Sequence, residues 1–259
     1  MKLIAIRSGE VVMDVGRLSG GDPGPYCNCP IMSFLVLSGP HVVLFDTGMN
    51  PAVRADPVQY WGRVSNRVLV PHLPEGEDLL QRLRDLGHPP ETVTLILNSH
   101  LHNDHAGTNR EFPGARVRVR RQEWEHALTL MDEPSSGYVR NDFHDEGALP
   151  ELFDYENSHD VLGDGRVVLL STRGHTPGHQ SLQVTFPSGR RFVLTGDAAY
   201  TEHALNEAHA PSIAWRPEMA ARSAGLLREL RAQGATVLVC HDEPTWESVR
   251  DFATLHEEE

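Results

Sequence analysis

The sequence predicts an α/β sandwich (αβ/βα): two facing mixed β-sheets with helices on their outer faces. Three observations predict it. Short apolar, β-branched runs alternate with amphipathic helical stretches. The halves Met1–Leu130 and Val161–Glu259 share one rhythm, strands first and then a helix. Several strands finish in polar, ligand-type residues, as they would at one edge of a layered sheet structure where the loops converge.

The elements follow in order. Lys2–Ile6, Ile31–Leu37 and Val42–Phe45 read as strands, the last running into Asp46-Thr47-Gly48. Asp78–Leu86 reads as a helix. Val93–Leu97 is a strand leading into Ser99-His100-Leu101-His102-Asn103-Asp104-His105-Ala106-Gly107. Arg116–Val119 is a strand, with Arg116, Arg118, Arg120 and Arg121 as the solvated face of a sheet edge. Arg121–Leu130 is a helix. Residues 131–160, rich in Glu, Asp, Pro and Gly, form an insertion, for which a lid and a plain surface excursion fit equally. Val167–Ser171 leads to Gly174-His175-Thr176-Pro177-Gly178-His179. Ser181–Phe186 and Arg191–Leu194 pair through the turn Pro187-Ser188-Gly189, and the second strand ends in Gly196-Asp197. Pro217–Gln233 is a helix, with Pro217 in its first turn and Gly234 at its stop. Thr236–Val239 ends in His241-Asp242, and His256–Glu259 reads as a frayed, solvated tail. One domain over residues 1–259 accommodates all of these.

Composition excludes several roles. The net charge of −13 makes the chain a poor partner for phosphate backbones, so no nucleic acid is expected. No run approaches the ~18 apolar residues of a membrane span. The N-terminal stretch is interrupted too soon for a signal peptide. Cys27, Cys29 and Cys240 are an odd set and no disulfide framework, which suits reduced thiols in a cytoplasmic, soluble protein. Cys27 and Cys29 have no partner pair for a metal, and Cys240 reads as a small buried apolar residue, on the opposite face from His241 if the strand continues.

The densest chemistry is the H-x-H-x-D-H run. Packing explains three imidazoles and a carboxylate this crowded poorly, whereas imidazole and carboxylate are ordinary ligands of zinc and similar ions. Residues two apart on extended chain point the same way, so His100 and His102 can grip one ion. Asp104 and His105, beyond the turn, suit a second ion nearby.

Asp46-Thr47-Gly48, the H-x-H-x-D-H run, Gly178-His179, Gly196-Asp197 and Cys240-His241-Asp242 together resemble the metallo-β-lactamase superfamily over nearly the whole chain. Within it, the motifs from Ser99 to Gly107, Gly174 to Leu182, Gly196 to Thr201 and His241 to Trp246 look like the N-acyl homoserine lactone lactonases, the quorum-quenching hydrolases. Departures are Asn103, a variable slot where that branch carries Phe or another residue, and Thr201–Asn206, which bears on the substrate pocket.

The resemblance implies the metallo-β-lactamase fold and a dinuclear site. His100, His102 and His179 hold one ion, Asp104, His105 and His241 the other, and Asp197 bridges them. Zn is the default, with Fe, Mn or Co accepted by the same ligands. A hydroxide between two such ions is the expected nucleophile. Tyr200 is expected to donate to the developing oxyanion, and Asp104 to pass a proton to the leaving alkoxide. Asp46 is either an orienting group or a strand-end turn residue. His175 is read as structural and His203 as a pocket candidate. His41, His72, His88, His126, His144, His159, His209 and His256 are read as surface or helix-end residues. Tyr60, Trp61, Ile213 and Trp215 are read as core, with an acyl pocket or a subunit contact as the alternative.

The expected activity is therefore lactone hydrolysis, with a small-molecule lactone as partner and a homodimer implied by the family. γ-Butyrolactone- and pyridoxolactone-type substrates stay open, as does a thioesterase of the glyoxalase II kind, because one fold hosts many chemistries. Tyr200, the acidic charge and the lack of a basic C-terminal segment to hold an anionic thioester favour the lactonase. A non-catalytic metal module explains seven ligands with an open bridge poorly. The diiron flavoproteins that resemble the fold carry Glu where His102 stands.

Overall fold

Side-chain alternation along the strands decides the architecture. In the first strand, Leu3 and Ala5 join one buried cluster while Ile4 and Ile6 join another with Leu79 and Leu83 of a helix. A strand buried on both faces needs a second sheet on one side and a helix on the other. The computed structural model describes residues 1–259 except 15, 17–23, 63–68, 134–135, 146–148 and 208–212.

In chain order the strands are β1 (Lys2–Asp14), β2 (Tyr26–Ser38), β3 (His41–Phe45), β4 (Leu69–His72), β5 (Leu95–Leu97), β6 (Arg116–Arg120) and β7 (Glu151–Phe153). They continue as β8 (Ser158–Asp160), β9 (Val167–Ser171), β10 (Gln180–Thr185), β11 (Arg191–Leu194), β12 (Thr236–Leu238) and β13 (Phe252–Glu257). One sheet runs β13-β1-β2-β3-β5-β6-β7, with β4 paired to β1, and the other runs β12-β11-β10-β9-β8. Both are mixed: β3, β5, β6 and β7 are parallel, as are β11 and β12, while the remaining pairs are antiparallel. The longer helices are α1 (Leu79–Asp85), α2 (Arg121–Leu130), α3 (Glu202–Glu207) and α4 (Pro217–Ala232). None is long and apolar enough to cross a membrane, nor is any other helix among the described residues.

The inter-sheet core joins Phe34, Val36, Phe45 and Leu97 to Leu169, Leu182, Val184, Phe192 and Leu194. Each fully buried Leu or Phe contributes about 1.5–3 kcal/mol, far more than an exposed ion pair, so this core holds the sheets together. On the outer face of β11, Val193 packs with Leu227 of α4. The two-sheet sandwich with outer helices is therefore the predicted architecture.

Several local expectations need correction. β1 runs to Asp14 rather than Ile6, because a register shift between Arg7 and Glu10, with Gly9 at φ 75°, carries the strand past a break in its apolar pattern. The tail is not frayed: β13 pairs with β1, Lys2 opposite Glu257, and the Glu258 N–H donates to Met1 O at 2.9 Å. β6 is not a sheet edge, since β5 and β7 flank it. Arg120 is accordingly buried, donating to Ser171 Oγ at 2.9 Å and lying 4.2 Å from the Tyr155 ring centroid. Within residues 131–160, β7 extends one sheet and β8 the other.

Candidate metal centre and its cavity

The site lies where strands end. β3 delivers Asp46, β5 the segment His100–His105, β11 Asp197 and β12 His241, all from the carboxyl ends of strands. The β9–β10 loop adds His175. Among the described residues, ligand atoms converge in three overlapping groups: His100, His102, His175 and Asp197 in one, Asp104, His105 and His241 in another, and Asp197, Cys240 and His241 in the third. Asp197 straddles them. Its Oδ2 lies 3.2 Å from His175 Nε2 and 3.7 Å from His100 Nε2, and its Oδ1 lies 3.0 Å from His105 Nε2 and 3.1 Å from His241 Nε2. Asp104 Oδ2 is 3.7 Å from His105 Nε2 and 3.8 Å from His241 Nε2.

Surrounding groups fix which nitrogen of each ring faces inward. His241 Nδ1 donates to Pro30 O at 3.0 Å, and His105 Nδ1 to Asp46 Oδ2 at 2.9 Å. Ser99 Oγ donates to the same Asp46 oxygen at 2.8 Å and accepts from His100 Nδ1 at 3.0 Å. These bonds leave the Nε2 lone pairs of His100, His105 and His241 pointing into the cluster. Asp46 is thus an orienting group. It is the one described residue other than glycine with positive φ, at 61°, a conformation costing about 1–3 kcal/mol. Two bonds from Ser99, through N and Oγ, and one from His105 hold its carboxylate there.

The donor set fits divalent metal. Burial pushes His100 and His175 well below the ordinary imidazole value and His102 to about 4, so all three are neutral, the form that ligates. For His105 and His241, burial is outweighed by the charges of Asp197 and Asp104, so this half of the cluster favours a cation. His105 Nε2 is buried without a hydrogen-bond partner, although Asp197 Oδ1 is 3.0 Å away. His100 Nε2 and His175 Nε2 lie 3.2 Å apart. Buried nitrogens aimed at one another in this way are explained by an ion between them.

Tertiary structure exchanges two histidines. His179, expected in the first group, is not in it: Nδ1 donates to Thr172 O at 2.9 Å and Nε2 accepts the Asp197 N–H at 2.9 Å, so both nitrogens are occupied. His179 directly precedes β10 and is enclosed between the sheet and the Asp197 turn. Gly196, at φ 53°, leaves it room, because a Cβ there would lie 2.9 Å from His179 Nε2. His175, read as structural, projects from the loop into the cluster instead, 3.1 Å from His102 Nδ1. Cys240 is buried as expected but does not face away. β12 has already ended, and its Sγ lies 3.3 Å from Asp197 Oδ1.

A cavity of about 470 Å³ opens onto the cluster. His102, Asp104, His175, Asp197, Tyr200 and His241 line it on the metal side, and Met13, Leu69, Leu130, Ile213 and Trp215 make it apolar. Ile213 and Trp215 are therefore not core residues, and His126 is not simply a surface residue, since it too lines the cavity. Trp61 is core, and Tyr60 donates to Asp142 Oδ1 at 2.7 Å. His203 is exposed on α3 and lines no part of the cavity, and His209 lies outside the described residues. Cys27 and Cys29 are free thiols with sulfurs 3.7 Å apart.

Sequence reasoning passed over Glu123. Its carboxylate accepts from Thr176 Oγ1, Tyr138 Oη, Leu101 N and Gly178 N, which joins both histidine loops to α2. Gly178 is required, because a Cβ there would sit 2.4 Å from Glu123 N. The available signal was a carboxylate on the same helical face as Trp124 and Ala127, where only a satisfied buried acid belongs.

Fold and site together define the class: residues 28–241 match the metallo-beta-lactamase superfamily, and the chain belongs to it. Among its relatives, N-acyl homoserine lactonase AttM of Azorhizobium caulinodans is 32% identical over 255 residues, 96% of each chain. N-acyl homoserine lactonase AiiA of Bacillus thuringiensis subsp. kurstaki is 30% identical over 257 residues, 97% of each. The structure of an N-acyl homoserine lactone hydrolase, with the product N-hexanoyl-L-homoserine at its catalytic metal centre, superposes with a TM-score of 0.83. It is 28% identical and covers 96% of both chains.

Proposed function

We propose that this protein is a quorum-quenching N-acyl homoserine lactonase, a metal-dependent hydrolase that opens the lactone ring. The observation that carries the reading is the meeting, in one apolar cavity, of Tyr200, Asp104 and a ligand cluster straddled by Asp197. His100, His102 and His175 with Asp197 Oδ2 would hold one divalent ion, and Asp104, His105 and His241 with Asp197 Oδ1 a second, zinc being the metal the donors suit best. Ions bound there supply Lewis-acid polarisation of a carbonyl and an activated water.

The chain's own groups do the rest. Burial holds Tyr200 well above its ordinary pKa, so the phenol keeps its proton. Its oxygen lies 3.3 Å from His175 Nδ1. With His175 ligating through Nε2, Nδ1 carries a hydrogen and donates to the phenol, leaving the phenolic O–H for the lactone carbonyl oxygen as charge builds there. Asp104, facing the same cavity, takes the proton released at the nucleophile and returns it to the ring oxygen as the C–O bond breaks. The apolar walls receive the acyl chain. Residues 1–259 are read as one domain, with Ser136, Gly137 and Tyr138 of the 131–160 insertion as the part that covers the site. Tyr138, whose ring centroid is 4.6 Å from that of His102, supports that cover. Free Cys27 and Cys29 support a reducing, cytoplasmic compartment, and a homodimer belongs to the same proposal.

The test is a hydrolysis panel with metal-loaded protein: short- and long-chain acyl homoserine lactones, γ-butyrolactone, a pyridoxolactone-like lactone, S-lactoylglutathione and bis-nitrophenyl phosphate. Acyl homoserine lactones are expected to open fastest, and Tyr200→Phe to lower kcat by about 10²-fold. Activity confined to the thioester or the phosphodiester would refute the reading.

A further inference from the structure

We infer that Cys240 is a positioning residue for the carboxylate of Asp197: its thiol fastens the turn that carries Asp197 to the segment that carries His241, and so sets how tightly the ion on the His241 side is held. The inference rests on the divalent-metal part of the reading above and not on the identity of the substrate. β11 and β12 run parallel, and the Thr195 N–H donates across them to Leu238 O at 3.1 Å. Two residues beyond Leu238, Cys240 Sγ lies 3.0 Å from Gly196 O and 3.3 Å from Asp197 Oδ1. The thiol thus reaches from the end of one strand to the turn that follows the other.

A thiol has one hydrogen to donate. The nearer acceptor, Gly196 O, takes it, which pins the turn at a residue with φ 53°. The sulfur then rests against Asp197 Oδ1, the oxygen that lies 3.0 Å from His105 Nε2 and 3.1 Å from His241 Nε2. Oδ1 is thereby kept from turning away from these two rings. Oδ2 faces His100 and His175 instead, so the effect falls on one ion position more than on the other. Asp197, Cys240 and His241 also form a group of convergent ligand atoms. Coordination by sulfur needs the thiolate, and a thiolate here would face two oxygens within 3.3 Å. Cys240 therefore acts through Asp197, as a donor and not as a ligand.

The test titrates wild type, Cys240→Ala and Cys240→Ser with zinc against a chromophoric chelator, and records the absorption spectra of the cobalt-loaded proteins. In Cys240→Ala one of the two binding steps is expected to weaken about tenfold or more and the other to stay within about threefold of wild type. Cys240→Ser keeps a donor hydrogen and is expected to recover most of that loss. Cobalt-loaded wild type is expected to lack the intense near-ultraviolet band of a cobalt–thiolate bond. Both steps of Cys240→Ala within about twofold of wild type, even with a lowered Tm, would assign Cys240 to the core alone and overturn the inference. Equal weakening in the Ala and Ser variants would overturn it too, and a cobalt–thiolate band would make the residue a ligand instead. If wild type binds neither zinc nor cobalt, the metal reading itself fails and this inference falls with it.

Discussion

Glu123 Oε2 accepts the Thr176 hydroxyl at 2.5 Å, one residue beyond His175. Glu123 Oε1 accepts Leu101 N at 3.1 Å, between His100 and His102. One buried carboxylate thereby ties the His100–His102 segment to His175, which lies far from it in sequence.

Glu123→Gln places an amide NH₂ against hydrogen-bond donors. It is expected to lower unfolding free energy by about 1–3 kcal/mol in urea titrations with metal present. The same variant should bind metal more weakly in a chelator competition, because both histidine loops lose their common anchor. Wild-type affinity in a destabilised variant would show that Glu123 serves the fold alone.

Asp46→Ala releases His105 Nδ1 and Ser99. Loss of such an orienting group costs metal affinity about 10–100-fold. Competition with a chromophoric chelator measures it, and saturating metal should restore part of the activity. Affinity within twofold of wild type would contradict the orienting role.

The two histidines of the β9–β10 loop separate cleanly. His175→Ala should reduce the metal content of purified protein. His179→Ala should retain metal and lose about 1–3 kcal/mol of stability, because the Asp197 N–H loses its acceptor. Elemental analysis and denaturant unfolding decide the matter, and the opposite pattern would return His179 to the ligand set.

Asp142 supplies a pH dependence away from the metal ligands. Its burial outweighs the hydrogen bond from Tyr60 and holds its carboxyl well above the ordinary range. The unfolded carboxyl ionises near ~3.9. Above that pH the unfolded chain has released a proton that the folded chain retains, so this group's contribution to stability falls as pH rises towards the folded pKa. Asp142→Asn removes the effect. As pH rises above about 4, its Tm should gain on that of wild type, whereas a constant gap would refute the shift.

The sequence by itself determined the layered α/β sandwich, the strand ends that meet at one edge, and most of the residues that gather in the candidate metal centre. His100, His102, Asp104 and His105 are local neighbours, and the ends of β11 and β12 announce Asp197 and His241 through strand periodicity. Short-range geometry of this kind is written in spacing. Tertiary structure decided the rest. Whether His175 or His179 faces the cluster depends on which one the sheet and the Asp197 turn enclose, and neither spacing nor residue type distinguishes them. β4, β7, β8 and β13 are short or half-exposed strands whose apolar pattern is too weak to read, and they exist because a neighbouring strand offers hydrogen bonds. Glu123, Ile213 and Trp215 acquired their roles in the same way. Burial, unpaired donors and cavity walls are properties of packed neighbours distant in sequence, and no local pattern records them.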